Sequence, residues 1–263
     1  MDRLTAVFGT AQPVALVTGS GAERVGNAIV RTLASRGYRC VVHANRSLKE
    51  ANDTVRELTA QGHDALAWQA DLTDESALHG LLDAAWSHFG RLDLLVNAAA
   101  IWESKRLEET TSNDVRRHFE INTLAVFEAC RYAGLKMVAQ LHGGAIVNIG
   151  DWAIERPYLN YAAYFPSKGA IPTLTRALAV ELGTRNPRVR VNAVLPGPVM
   201  LPPDLPAEER EKSIAATLVK REGTPQHVAD AVAFLAENDF VTGVCLPVDG
   251  GRTIYANDDA LIT

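Results

Sequence analysis

Tyr164 and Lys168 stand four residues apart, a spacing that puts both on one face of a helix. An ammonium beside a phenol stabilises phenolate and lowers the tyrosine pKa toward working pH, as a proton donor to a substrate atom receiving hydride requires. Thirteen residues before the tyrosine stands an acid, Asp151. An ionised carboxylate accepts hydrogen bonds but donates none, and it would repel a carbonyl oxygen gaining negative charge. It suits a substrate that presents N–H donors, or a ring nitrogen protonated by the acid form. Tyr-x-x-x-Lys also occurs by chance on amphipathic helices, so its weight depends on the fold around it.

A hydride acceptor needs a hydride source, and two loops upstream suit a dinucleotide. Residues 18–26 read TGSGAERVG. Gly19, Gly21 and Gly26 let the backbone approach a pyrophosphate, and the helix beginning near Val25 offers free N–H groups and a positive dipole end. The spacing is not the G-x-G-x-x-G fingerprint, and a glycine-rich strand–helix turn would read the same. Arg24 adds a cation beside the phosphates. The end of the second strand carries Asn45, Arg46 and Ser47, with no acid until Glu50. An NAD site wants an acid there for the ribose 2′-OH, whereas a 2′-phosphate wants cations and donors. Arg46 can fork onto a phosphate with Ser47 donating beside it. The alternative is a solvated arginine at a helix start with Ser47 as its cap. The expected cofactor is NADPH.

Strand–helix alternation must position these residues. Apolar runs at 13–19, 38–44, 64–70, 92–98, 144–150, 188–197 and 243–251 read as seven strands. Between them lie helical patterns. Ile29 and Leu33 mark the first. Ser47 and Glu50 suggest a capping box for the second, with Ala51, Val55 and Leu58 on its face. Thr73, Asp74 and Glu75 open a third over Leu78, Leu81, Leu82 and Ala85. Longer helices cover roughly 112–140 and 160–184, and Thr224 with Pro225 suits the N-cap and N1 of the last. The fold class is α/β: a single-domain, Rossmann-type, doubly wound, parallel seven-stranded sheet, with ligands beyond the carboxyl ends of the strands. Residues 1–12 read as an N-terminal extension, 13–251 as the domain with a substrate loop at 198–222, and 252–263 as a tail that either covers a neighbouring subunit's site or is disordered.

Composition narrows the function classes. The chain has 263 residues, 47% of them hydrophobic, enough for a sizeable core, and a formal net charge of −5 that argues against a general nucleic-acid binder. The N-terminus lacks a signal-peptide pattern and no apolar run reaches membrane-spanning length, so no membrane partner is expected. Cys40, Cys130 and Cys245 are odd in number and far apart, which reads as free thiols in a reducing cytoplasm. The seven histidines form no close pair with ligand spacing, and no metal site is expected.

Taken together these stretches resemble the short-chain dehydrogenase/reductase family over about residues 13–251. The motifs are TGSGAERVG, ADLTD (70–74), NAAA (97–100), Asn122, Tyr164-x-x-x-Lys168, LPGPV (195–199) and VTGVCLPVDGG (241–251). The resemblance implies Tyr164 as acid, Lys168 on the nicotinamide ribose, and Asn122 holding a proton-relay water next to Lys168. It implies Asp71 and Leu72 near the adenine, Asn97 and Ala98 at the cofactor, and Pro196, Gly197 and Val199 against the carboxamide. Read from the residues alone, Asp71 could equally cap a helix and Asn122 be a mid-helix polar residue. Most of the family carry a serine at the place of Asp151. The branch of pteridine reductases and related dihydromonapterin/dihydrofolate reductases resembles this chain instead, through the aspartate, Arg24, the Tyr161 and Tyr164 pair and the MLPPDLP loop (200–206). Tyr161 could as well be core packing. The chain departs from that branch in its stacking aromatic, with Ile101 in the usual place and Trp102 one later, in Ala99 for a serine, and in Pro166 and Pro172, of which Pro172 should leave a carbonyl unpaired.

The resemblance thus implies hydride transfer from NADPH to a pterin-like or other small heterocycle, with Arg24, Trp102, Asp151 and Tyr161 at the substrate. The alternatives are a carbonyl or 3-oxoacyl thioester reductase and a non-catalytic NADP-binding sensor. It also implies a homotetramer or homodimer built through the two long helices.

Overall fold

A run of apolar residues without alternation is what a strand covered on both faces requires, and β1 (Val14–Val17) has no exposed residue along its length. Full burial of each such valine or leucine side chain contributes about 1.5–3 kcal/mol. The computed structural model describes residues 2–255. Around β1 lie β2 (Arg39–Ala44), β3 (Ala65–Gln69), β4 (Leu94–Asn97), β5 (Gly144–Ile149), β6 (Val189–Pro196) and β7 (Cys245–Val248), in the order β3-β2-β1-β4-β5-β6-β7 with every pairing parallel. The chain winds outward from β1 to β3, then returns to place β4 on the other side of β1. The loops after β1 and β4 therefore diverge, and a crevice opens between them.

Parallel neighbours need crossovers, and helices cover both faces of the sheet. α2 (Val25–Ser35), α3 (Leu48–Ala60) and α9 (Pro225–Glu237) bury Ile29, Leu33, Leu58 and Val232 on one face. α4 (Glu75–Phe89), α6 (Ala125–Val138) and α7 (Tyr164–Gly183) bury Leu81, Met137 and Ile171 on the other. Asp74 caps α4 by accepting from the Ala77 N–H, and the Thr224 N–H bonds the His227 ring at the start of α9. No helix among the described residues is long and apolar enough to cross a membrane.

The departures from the expected elements have local causes. Residues 1–12 contain α1 (Arg3–Phe8), whose Leu4 and Phe8 enter the core; Phe8 packs edge-on against Tyr38 at 6.0 Å. Ser47 makes no capping bond from its side chain, so the capping box expected there is absent. The helix expected over 112–140 is α5 (Ser112–Phe119), a π turn over Glu120–Leu124, and α6. Within residues 198–222 a helix, α8 (Ala207–Ala215), forms without burying any residue, which is why no apolar periodicity announces it. Residues 256–263 of the tail lie outside the described residues.

Candidate active site

The loop after β1 is built for close backbone approach. Gly19 has φ +66, and a Cβ there would sit 2.8 Å from the Cα of Ala99; one on Gly26 would lie 2.6 Å from the Gly19 carbonyl oxygen. Arg24 occupies the N-cap of α2 in an extended conformation and makes no side-chain cap bond; its carbonyl accepts from Asn27 and Ala28, while the N–H groups of Val25 and Gly26, which line the crevice, have no partner among the described residues. The loop is pinned from beneath by His43 on β2. Its Nδ1 accepts from the Gly19 N–H at 2.9 Å, which leaves Nε2 as the protonated nitrogen, 3.0 Å from the Ala70 carbonyl. Burial holds His43 below its ordinary pKa, so the pin is neutral. Asn27 adds a second tie through its bond to the Ser20 carbonyl.

At the end of β2, Asn45 and Arg46 are exposed, and Arg46 has no ion pair among the described residues. Opposite lies Asp71, whose carboxyl is held below its ordinary value by the Thr73 N–H and hydroxyl, and then by Arg46.

The other end of the crevice holds the titratable groups. Asp151 follows β5 and caps the short 3₁₀ turn Trp152–Ile154, its Oδ1 accepting from the Ala153 N–H at 2.8 Å. Its Oδ2 accepts from the Tyr164 hydroxyl at 2.6 Å. Tyr164 is the first residue of α7 and Lys168 lies one turn on, its Nζ donating to the Ile149 carbonyl at 2.7 Å. The expected lowering of the tyrosine pKa is not what this arrangement produces. Burial, then the charge of Asp151 and the hydrogen bond to it, push Tyr164 far above its ordinary value. Burial also raises Asp151 and lowers Lys168 to about 8, against the pull of Asp151.

Pro166 is tolerated because it sits in the first turn of α7, where the N–H groups lack helical partners anyway. Pro172 lies inside the same helix, which continues to Gly183; it has no N–H for the Lys168 carbonyl, and the hydroxyl of Thr123 bonds the adjacent Ser167 carbonyl at 2.8 Å.

An aromatic wall faces the acid pair. Trp102 lies parallel to Tyr161 with ring centroids 4.9 Å apart and 11° between planes, and Tyr158 meets Tyr161 edge-on. Trp102 is the more exposed of the stacked pair, at 47%. Trp152, Met200, Leu201, Pro202 and Leu205 close the opposite side. The whole is one groove of about 1290 Å³, larger than the roughly 300–1,000 Å³ of a pocket for one small molecule.

The groove is lined by Gly19, Arg24, Val25, Gly26, Asn45, Arg46, Ser47, Asp71, Leu72, Ala98, Trp102, Asp151, Tyr161, Tyr164, Lys168, Pro196, Gly197 and Val199 together. Three expected members stand behind it. Gly21 is buried against β2, where a Cβ would meet Ala44 and Ser47 at 2.9 Å. Asn97 turns into the sheet, donating to Asn148 Oδ1 at 2.9 Å and to Cys130 Sγ at 3.2 Å. The side chain of Asn122 is committed to the Ile101 N–H and carbonyl and to Ser167 Oγ, so it clamps the loop after β4 rather than facing Lys168. Tyr158, Trp152 and Arg252 line the groove without having been expected there. Tyr158 carried a usable signal, an aromatic six residues before Tyr164 in the same turn-rich stretch. A metal-capable cluster, Glu75, His79 and Glu128, lies between α4 and α6 outside the groove lining, with Arg131 already bonded to Glu128.

A family model described as enoyl-(acyl carrier protein) reductase matches residues 21–253. Cis-4-hydroxycyclohexanecarboxylate dehydrogenase of Sinomonas cyclohexanicum is 38% identical over 248 residues, covering 92% of this chain and 97% of the relative. Human (Homo sapiens) 3-oxoacyl-(acyl-carrier-protein) reductase is 34% identical over 253 residues, covering 95% and 98%. Among solved structures, a blue fluorescent protein from a metagenomic library in complex with NADPH matches with TM-score 0.83 at 35% identity, over 91% of this chain and 97% of the other. A dehydrogenase/reductase from Sinorhizobium meliloti 1021 matches with TM-score 0.84 at 33% identity, over 95% and 98%.

Proposed function

The chain belongs to the short-chain dehydrogenase/reductase family of oxidoreductases, and from that premise we propose that it is an NADPH-dependent reductase acting on the C=N bond of a small pterin-like heterocycle. The observation that carries this reading is the bond from the Tyr164 hydroxyl to a half-buried carboxyl group, Asp151. The residues present fit the cofactor: Gly19 and Gly26 let the turn pack against Ala99 and onto itself, where any Cβ would clash, and this leaves Arg24 and the start of α2 lining the crevice. The N-terminus of α2 with Arg24 would hold the diphosphate, Arg46 with Asn45 and Ser47 the 2′-phosphate, and Asp71 and Leu72 the adenine. Ala98, Lys168 and the Pro196–Val199 segment would hold the nicotinamide end, with Asn97 and Asn122 supporting from behind. NADPH, when bound, supplies hydride.

The chain's own residues supply the proton. Burial and Asp151 keep Tyr164 in its phenol form, and once Asp151 carries a proton and donates it to the phenol oxygen, the Tyr164 proton can pass to the substrate atom left basic by reduction. The Lys168 ammonium stabilises the charge that develops on the phenol oxygen. Asp151, whose burial favours its acid form, can return a proton to Tyr164 as Tyr164 gives up its own. The parallel Trp102–Tyr161 stack supports a flat substrate.

A second reading, reduction of a carbonyl such as a 3-oxoacyl thioester, is favoured by the activity named for the human relative. NADPH oxidation measured with dihydrobiopterin and with an acetoacetyl thioester separates the two. We expect turnover of the pterin; turnover of the thioester alone replaces it with the second reading, and binding of NADPH without turnover of either points to a sensor. Arg46→Glu should weaken NADPH by about 10²-fold and NADH by less than about threefold, since one charge-assisted phosphate contact is lost and one repulsion gained. Equal losses in titrations with the two cofactors would remove the 2′-phosphate site.

We further take 13–251 as the functional unit with residues 198–222 as its substrate loop, and place the enzyme in the cytoplasm, supported by its three free cysteines. Exposed Leu124, Phe127 and Leu135 on or beside α6, and Val180 on α7, support assembly as a homodimer or homotetramer through those helices.

A further inference from the structure

Beyond the acid pair, the groove is lined by a cation that forms no ion pair among the described residues. Arg252 follows β7 and is partly buried among the lining residues. Its guanidinium lies over the Trp152 ring, 5.0 Å from the centroid, and Trp152 is the residue after Asp151. Among the described residues only Nη1 of this guanidinium is used, donating to the Ala216 carbonyl at 3.2 Å. No carboxylate pairs with it among the described residues, and the charge that bears on it most is that of another arginine, Arg156.

The turn that presents Arg252 is fixed independently. Asp249 spends its carboxylate on the backbone N–H groups of Gly251 and Thr253, at 2.9 and 2.7 Å. Arg156 bonds the carbonyls of Arg252 and Tyr255, tying the segment to the loop that carries Asp151. In a chain with 31 acids against 26 bases, two neighbouring arginines that form no ion pair among the described residues are a local inversion of charge. Partial burial disfavours such a cation unless a partner arrives, and a stacked, half-satisfied guanidinium is already oriented to receive one.

We propose that Arg252 is a specificity-determining residue that binds an oxyanion, a carboxylate or phosphate, carried by the substrate at the end remote from the reduced bond. The inference rests on the reductase reading of the same groove and names its substrate class more narrowly: a ring or carbonyl head at Tyr164 and an anionic tail over Trp152. The free Nε and Nη2 edges of the guanidinium offer the two parallel donors that a carboxylate or phosphate accepts.

The test uses two pairs matched in their reacting bond. Dihydrofolate carries glutamate carboxylates and dihydrobiopterin none; acetoacetyl-coenzyme A carries phosphates and the N-acetylcysteamine thioester none. For whichever pair is reduced, the wild type should prefer the anionic member by about 10–100-fold in kcat/KM. Arg252→Met should collapse that ratio at least tenfold, through KM for the anionic member. Arg252→Lys, which keeps the charge without the fork, should retain part of it. Because the ratio is taken within each variant, a lowered folded fraction cancels. The pair that shows the preference identifies the anion. An equal preference in Arg252→Met, or none in the wild type, overturns the proposal. If neither pair is reduced, the reductase reading fails by itself; Trp152-quenching titrations with dihydrofolate and coenzyme A then decide the anion site, and equal affinities for wild type and Arg252→Met would end it.

Discussion

Replacing Tyr164 by phenylalanine will lower kcat by about 10²–10⁴-fold while changing the affinity for NADPH by less than about threefold. The substitution removes one oxygen and leaves the ring where it is. That ring packs edge-on against Phe165 at 5.4 Å and Tyr161 at 6.2 Å, contacts that phenylalanine keeps. What is lost is the hydroxyl between the substrate and Asp151. Among the described residues Asp151 then keeps only the Ala153 N–H as partner in its half-buried site, and its acid form is favoured more strongly. The Asp151 carboxyl stands 2.6 Å behind the lost hydroxyl oxygen, a full hydrogen bond further from the atom that Tyr164 served, so it does not rescue the rate. Stopped-flow NADPH oxidation gives the rate, and fluorescence titration gives the affinity. Retention of more than about a tenth of kcat would remove Tyr164 from the role of donor, since general acids contribute more than that.

The line between what the sequence made legible and what it did not follows a physical boundary. Strands such as β1 and β5 were legible because burial on both faces demands unbroken apolar runs, and the order of loops between them placed Gly19, Arg46, Asp151 and Tyr164 at one edge of the sheet. Side chains whose direction depends on a single backbone departure were not. Asn122 sits in a π turn, which leaves no mark on helical periodicity, and its amide is thereby turned to Ile101. α8 has no apolar face to announce it. Arg252 is distant in sequence from every other member of the site and reaches it only because Asp249 folds the turn after β7. The tyrosine pKa departs from expectation for a related reason: spacing puts Lys168 on the same helical face, but burial and the charge of Asp151, which raise Tyr164, are properties of the assembled site, and the Lys168 ammonium is bonded to the Ile149 carbonyl.

Asp151→Asn tests that balance, because its effect on pH dependence has a definite sign. Lys168 titrates at about 8, pulled down by burial and held up by the negative charge of Asp151. The active form carries the ammonium, so wild-type kcat/KM should fall as pH rises through about 8. Asparagine has nearly the same shape and keeps an oxygen for the Ala153 N–H, but it has no charge to hold Lys168 up. The alkaline limb should therefore move to lower pH in the variant. Below the limb, where falling pH populates the acid form of Asp151 that burial favours, the rate should also fall by about 10²-fold, because the group that reprotonates Tyr164 is gone. A limb that stays in place would show that Asp151 does not face Lys168 as an anion during turnover. A rate that stays in place would show that Tyr164 is reprotonated by another route. Asp151→Ser separates chemistry from charge further. It installs a neutral donor that can bond a carbonyl oxygen, so activity on dihydrobiopterin should drop as in Asp151→Asn while the acetoacetyl thioester becomes the better substrate of the two. The carboxyl group is then the element that selects a nitrogen heterocycle over a carbonyl, and unchanged selectivity in Asp151→Ser would transfer that role to the Trp102–Tyr161 wall.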